Sequence, residues 1–157
     1  MAVLSLRYEI ERQLGLVLVV GSGVIRDEDL ERLNKRLMAD PDLRHCTMEL
    51  DDMRAVTNSV GVSADCLRRL GEKWGERDSF LEGTKLASVA PRDVEFGLTR
   101  MYQLYRGGTP VEMRLFREMG EAEHWLDLPA GFVTSRRAVR ETEHSTSGTL
   151  GEPSGDA

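Results

Sequence analysis

The opening residues alternate. In "LSLRYEIE", Leu4, Leu6, Tyr8 and Ile10 fall on one side and Ser5, Arg7, Glu9 and Glu11 on the other, the period of two expected of a strand with one wet face. The next run, Leu16 to Val20, is apolar at every position, which suits a strand covered on both faces, and "RQLG" between the two turns the chain back into an antiparallel hairpin. The period then lengthens. Leu30, Leu33 and Leu37 recur at helical spacing, with Asp27 as a cap and Pro41 just past the end. "HCTMELD" alternates again, which predicts Cys46, Met48 and Leu50 inward and Thr47, Glu49 and Asp51 on a wet face. A turn around "NSVG" leads into a second helix, where Ala64, Leu67, Leu70 and Trp74 form one stripe.

Two further strand and helix pairs follow. "TKLASVA" reads as a strand, and after Pro91 a helix carries Val94, Leu98, Met101 and Tyr105 on its predicted buried face until Gly107 and Gly108 stop it. "PVEMRLF" is a strand and Met119, Ala122 and Leu126 mark a closing helix. The predicted order is ββαβαβαβα: an α/β domain with a mixed, mostly parallel sheet opened by a β-hairpin and helices packed on the sheet. The domain is expected to occupy residues 1–130. Residues 131–157 read as a disordered tail, because from about Thr134 the chain is dense in Ser, Thr, Gly and Glu and has no apolar period to repay the entropy of ordering. Its short basic stretch "SRRAVR" reads as solvated linker.

At 157 residues and 40% hydrophobic content, the chain suits one ordinary core. The formal net charge of −6 argues against nucleic acid or anionic lipid as an unassisted partner. The N-terminus is charged too early for a signal peptide, and no run reaches the length of a membrane span; a cytoplasmic location is expected. Cys46 and Cys66 lie in separate elements without a CxxC spacing, so they read as reduced core residues. Nothing in the spacing of His45, Cys46, Cys66 and His124 puts two of them on one local face, so no metal is expected, and no cofactor motif stands out. "GSGVIRDEDL" is not GxGxxG, and the three histidines are spread over strand, helix and tail, which argues against an enzyme.

The layout, together with "YEIERQLGLVLVVGSGVI", the acid-ended "MELDDMRAV", "ASVAPRDVEFGLTRMYQLY" and "VEMRLFREMGEAEHWL", resembles the STAS fold of anti-sigma factor antagonists, nearest in character to the SpoIIAA-like group. The likeness covers roughly residues 5 to 127. It implies a non-enzymatic regulatory module of bacterial-type signalling that docks a kinase-like or sigma-regulating protein partner. Such antagonists carry Asp-Ser-Ser-Gly or Asp-Ser-Thr-Gly before the helix that follows the third strand, with the second hydroxyl phosphorylated. Here Asn58, Ser59, Val60 and Gly61 stand at those positions, so the usual acceptor hydroxyl is absent. Ser59 and Ser63 remain as phosphorylation candidates in a shifted register; as plain structure they are a turn residue and a helix cap. The expected partner surface is Asn58, Ser59, Gly61 and Ser63, with Arg68 and Arg69 on the helix beyond.

Other readings compete. Glu49, Asp51 and Asp52 resemble a carboxylate cluster that holds Mg²⁺, but the acidic pair and the late lysine of a receiver domain are missing, and alternation makes Glu49 and Asp51 a wet strand face. A small apolar, lipid-like ligand held at Phe96, Tyr102 and Tyr105 is the alternative function. Tyr102 lies about one position off the predicted stripe of its helix, which suits an edge groove. A structural homo-oligomer is the third class.

Overall fold

Parallel strands need crossover helices, and the chain supplies one at each step. The computed structural model describes residues 4–78 and 83–136. Its elements are β1 (Leu6–Glu11), β2 (Leu16–Arg26), α1 (Asp27–Ala39), a 3-10 turn at Pro41–His45, β3 (Met48–Gly61), α2 (Ala64–Asp78), β4 (Lys85–Val89), α3 (Asp93–Arg106), β5 (Glu112–Phe116) and α4 (Met119–Trp125). The five strands form one mixed sheet in the order β1-β2-β3-β4-β5. β1 runs antiparallel to β2, and every other pairing is parallel.

Both faces of this sheet are covered. Leu16 and Leu18 of β2, Leu50 of β3 and Ala87 and Val89 of β4 meet Met119, Ala122 and Leu126 of α4. The opposite residues of β2, Val17 and Val19, meet Leu33 and Leu37 of α1 and Trp74 of α2. α2 and α3 then lie side by side at Gly71, where a Cβ would fall 2.7 Å from Tyr105 Cβ and 3.0 Å from its carbonyl carbon. Only glycine allows that approach without moving backbone.

Four expectations change here. The domain does not stop at residue 130: Val133 is buried in the α4 core, Phe132 packs beside it, and Arg136 pairs with Glu9 and Glu11 of β1. Buried Glu123 fastens this segment by accepting the N–H groups of Val133 and Gly131 at 3.0 and 3.3 Å. The rest of the expected tail, 137–157, lies outside the described residues. Second, "NSVG" is not a turn. β3 pairs with β2 as far as Gly61 opposite Arg26, whereas β4 ends opposite Asp52, so β3 outruns its other neighbour by nine residues. Third, Arg26 and not Asp27 occupies the cap position of α1, its N–H donating to Asp29 at 2.9 Å.

Fourth, α3 is rotated from its predicted face. Val94 and Tyr105 are exposed, while Glu95 and Arg106 are buried and Tyr102 points inward. Polar side chains with partners beneath the helix have overridden the apolar stripe. Leu98 belongs to both faces and was placed correctly.

Candidate functional site

The exposed end of β3 and the start of α2 form one candidate surface. Asn58 turns its side chain back to accept the Val60 N–H at 2.9 Å, leaving the Val60 side chain 84% exposed. Gly61 is exposed opposite Arg26. Ser63 caps α2, accepting the Cys66 N–H at 3.1 Å. It also ties α2 to α1: its hydroxyl and its N–H donate to the two oxygens of Asp27 at 2.6 and 2.7 Å. Burial opposes charge on Asp27, but these two donors, together with the Cys66 thiol and the charge of Arg69, outweigh it and hold the carboxyl below its ordinary range. Arg68 reaches Asp65 and Glu72, and Arg69 reaches Asp65 and, across the helix pair, Glu31. Asn58, Gly61, Ser63, Arg68 and Arg69 are thus all exposed around one helix start.

Ser59 is the exception. It is 4% exposed, and its hydroxyl donates to Glu95 Oε1 at 2.8 Å. A kinase has no access to that hydroxyl in this fold, and a phosphate there would sit against a buried carboxyl. Alternation explains the inversion, since a strand that continues through residue 61 must send Ser59 to the face opposite Asn58 and Val60. Ser63 is accessible, but a phosphate adding about −1.5 to −2 charge would press on Asp27 and part α1 from α2. We expect Ser63→Ala to cost about 1 kcal/mol, the usual loss of a cap, measured by urea denaturation. No loss would mean the junction is held elsewhere.

A second site lies beneath the helices. Glu49 and Asp51 of β3 are not on a wet face: they point under α1–α3, because this sheet is covered on both sides. With Ser88 of β4, Ser59, and Glu95, Thr99 and Tyr102 of α3, they line a cavity of about 120 Å³ whose remaining walls, Asn34 of α1 apart, are apolar. Burial, reinforced by Glu49 alongside, raises the Asp51 carboxyl well above its ordinary range. Burial likewise pushes the Tyr102 hydroxyl up, against the nearby positive charge of Arg106. Arg106 is itself buried, sits 5.0 Å from the Trp74 ring centroid and 5.9 Å from that of Tyr102, and donates to the Tyr102 hydroxyl at 3.2 Å. Among the described residues, two buried side-chain oxygens have no hydrogen-bond partner, Asp51 Oδ1 and Glu95 Oε2, and both residues line this cavity.

The ligand trio expected from the sequence is not brought together. Tyr102 lines the cavity, while Phe96 lies under the Arg117 guanidinium, 4.0 Å from its ring centroid, and Tyr105 backs onto Gly71 at the surface. Glu95 and Ser88 were missed as site residues. Among the described residues, no group of three His, Cys, Asp or Glu side chains is arranged to hold a metal ion. His45 accepts from Arg44, His124 is exposed on α4, and Cys66 is buried in α2, where burial and then Asp27 push its thiol up to about 11. Asp52 faces the α4 side, gripped by Arg54 at 2.9 and 3.0 Å. No helix among the described residues is long and apolar enough to cross a membrane. Neither a protein-family model nor a curated protein matches this chain.

Proposed function

We propose that the chain is a non-enzymatic, STAS-like regulatory module of the cytoplasm that docks a protein partner at the end of β3 and the start of α2. The observation that carries this reading is Val60, an apolar side chain 84% exposed at the tip of a strand that has outrun its neighbour. Asn58, Ser63, Arg68 and Arg69 supply a polar surround, the usual composition of a docking patch. Ser59 belongs to its support and not to its surface. The test is affinity capture from native lysate with the wild-type chain, Val60→Glu, and Leu104→Glu as a surface control, since Leu104 is 76% exposed on α3. A partner kept by the control and lost with Val60→Glu supports the reading; one kept by all three removes it.

The cavity favours a second reading, a small-ligand domain. Its size suits a compact molecule and not an acyl chain, because a cavity of about 150 Å³ is filled by benzene.

A further inference from the structure

We infer that the space between the sheet and α1–α3 is a binding site for a compact organic cation, a small primary amine with an apolar body, held by Asp51 and Glu95. This rests on the small-ligand reading above and adds charge and size to it. Three carboxyl groups line the cavity, those of Glu49, Asp51 and Glu95, and no basic side chain does. Asp51 Oδ1 and Glu95 Oε2 are buried there without a hydrogen-bond donor. Native interiors pair nearly all such atoms, so two in one cavity are a specific demand for donors.

Glu95 is the more telling of the two. It is 5% exposed, and its Oε1 already takes the Ser59 hydroxyl. The cation beside Oε2 is Arg92, whose Nε lies 3.4 Å away as an ion pair without hydrogen-bond geometry. Arg92 is half exposed at the rim and spends Nη1 on the carbonyls of Val56 and Thr57. Arg106 donates to Tyr102, lies against Trp74 and acts on Asp51 through its charge, but it is not part of the lining.

The chemistry of the occupant follows from these groups. An ammonium offers three N–H donors and no acceptor, and so carries a donor for each of the two oxygens. An alcohol offers one donor and leaves an oxygen unpaired. A cation also offsets the cost of burying charge on Asp51, whose carboxyl burial raises above its ordinary range. The walls of Leu33, Val56, Leu67, Leu70 and Leu98 accept an alkyl body. Against the benzene-filled cavity of about 150 Å³, about 120 Å³ admits roughly five non-hydrogen atoms, which excludes nucleotides and acyl chains.

The test is a methyl-carbon NMR titration of the full chain at neutral pH with n-butylamine and, separately, butan-1-ol. We expect saturable shifts of the Val56, Leu67 and Leu98 methyls, with the amine binding at least about tenfold tighter than the alcohol. In Asp51→Asn and in Glu95→Gln that preference is expected to fall below about threefold; should one variant not fold, the other carries the comparison. An alcohol that binds as tightly as the amine overturns the cation assignment and leaves the small-ligand reading standing. No saturable response to either overturns both. An amine preference that survives both substitutions overturns the assignment to these carboxyls.

Discussion

Trp74→Ala is expected to lower the stability of the domain by about 3–5 kcal/mol, the range for removing a fully packed aromatic. Trp74 is 3% exposed and sits where α1, α2 and α3 meet. Its ring packs in the core that backs β2 and is stacked by the Arg106 guanidinium at 5.0 Å, and its Nε1 donates to Asn34 Oδ1 at 2.6 Å. One side chain therefore joins all three helices on that face. Truncation opens a cavity, strands the Asn34 oxygen and takes from buried Arg106 the surface it lies on. At about 2–4 °C per kcal/mol, the melting temperature should fall by roughly 6–20 °C. Trp74→Phe helps separate the contributions: it keeps an aromatic body while removing the N–H and the pyrrole part of the indole, so a smaller loss of about 1–3 kcal/mol is expected from the unpaired Asn34 acceptor and the space left. Circular dichroism melts of both variants check this. A loss under about 1 kcal/mol for Trp74→Ala would mean that the three helices are held mainly by other contacts.

How far the sequence carried this picture depends on which physical signal each element sent. Leu16 to Val20 announced a strand covered on both faces, and it is one. Leu33 and Leu37, and Met119, Ala122 and Leu126, are buried where helical spacing placed them. α3 misled because Val94, Met101 and Tyr105 form a tidy apolar stripe, while the buried side is carried by Glu95, Tyr102 and Arg106. Hydrophobic periodicity cannot locate a polar face whose groups pair inside. The same blindness hid Glu49 and Asp51. Alternation correctly put them opposite Leu50, but calling that face wet assumed helices on one side only. Four parallel strands joined by crossovers, with a closing helix after the last, leave no bare face for a central strand. Ser59 was misplaced for a different reason: nothing local marks where β3 ends, because Thr57 to Gly61 reads equally well as a turn. Only the pairing with β2 decides it. The boundary at residue 130 failed because Phe132 and Val133 are two apolar residues in a polar setting, too few to make a period.

Asp51→Asn is expected to abolish a downward slope of stability with rising pH. The folded chain raises the Asp51 carboxyl well above its ordinary value, first by burial and then through Glu49 beside it. In the unfolded chain the same group titrates at about 4. Below that value both states are protonated, and the favourable contribution of the neutral acid is fully present. Between the unfolded and folded values the native state holds the extra proton, so stability falls as pH rises, with a limiting slope of about 1.4 kcal/mol per pH unit for one proton. Above the folded value the contribution is lost. Glu11, Asp27 and Asp65 act in the opposite sense, since partners hold their carboxyls below the ordinary range and their stabilisation fades as pH drops. They are present in both proteins and cancel in the difference. The quantity to measure is therefore Asp51→Asn minus wild type, from urea denaturation at steps between about pH 4.5 and 8. The difference should grow with pH in favour of the asparagine variant, which presents no charge to bury. Parallel curves would place Asp51 in contact with bulk water, and with it the cavity that α3 is rotated to enclose.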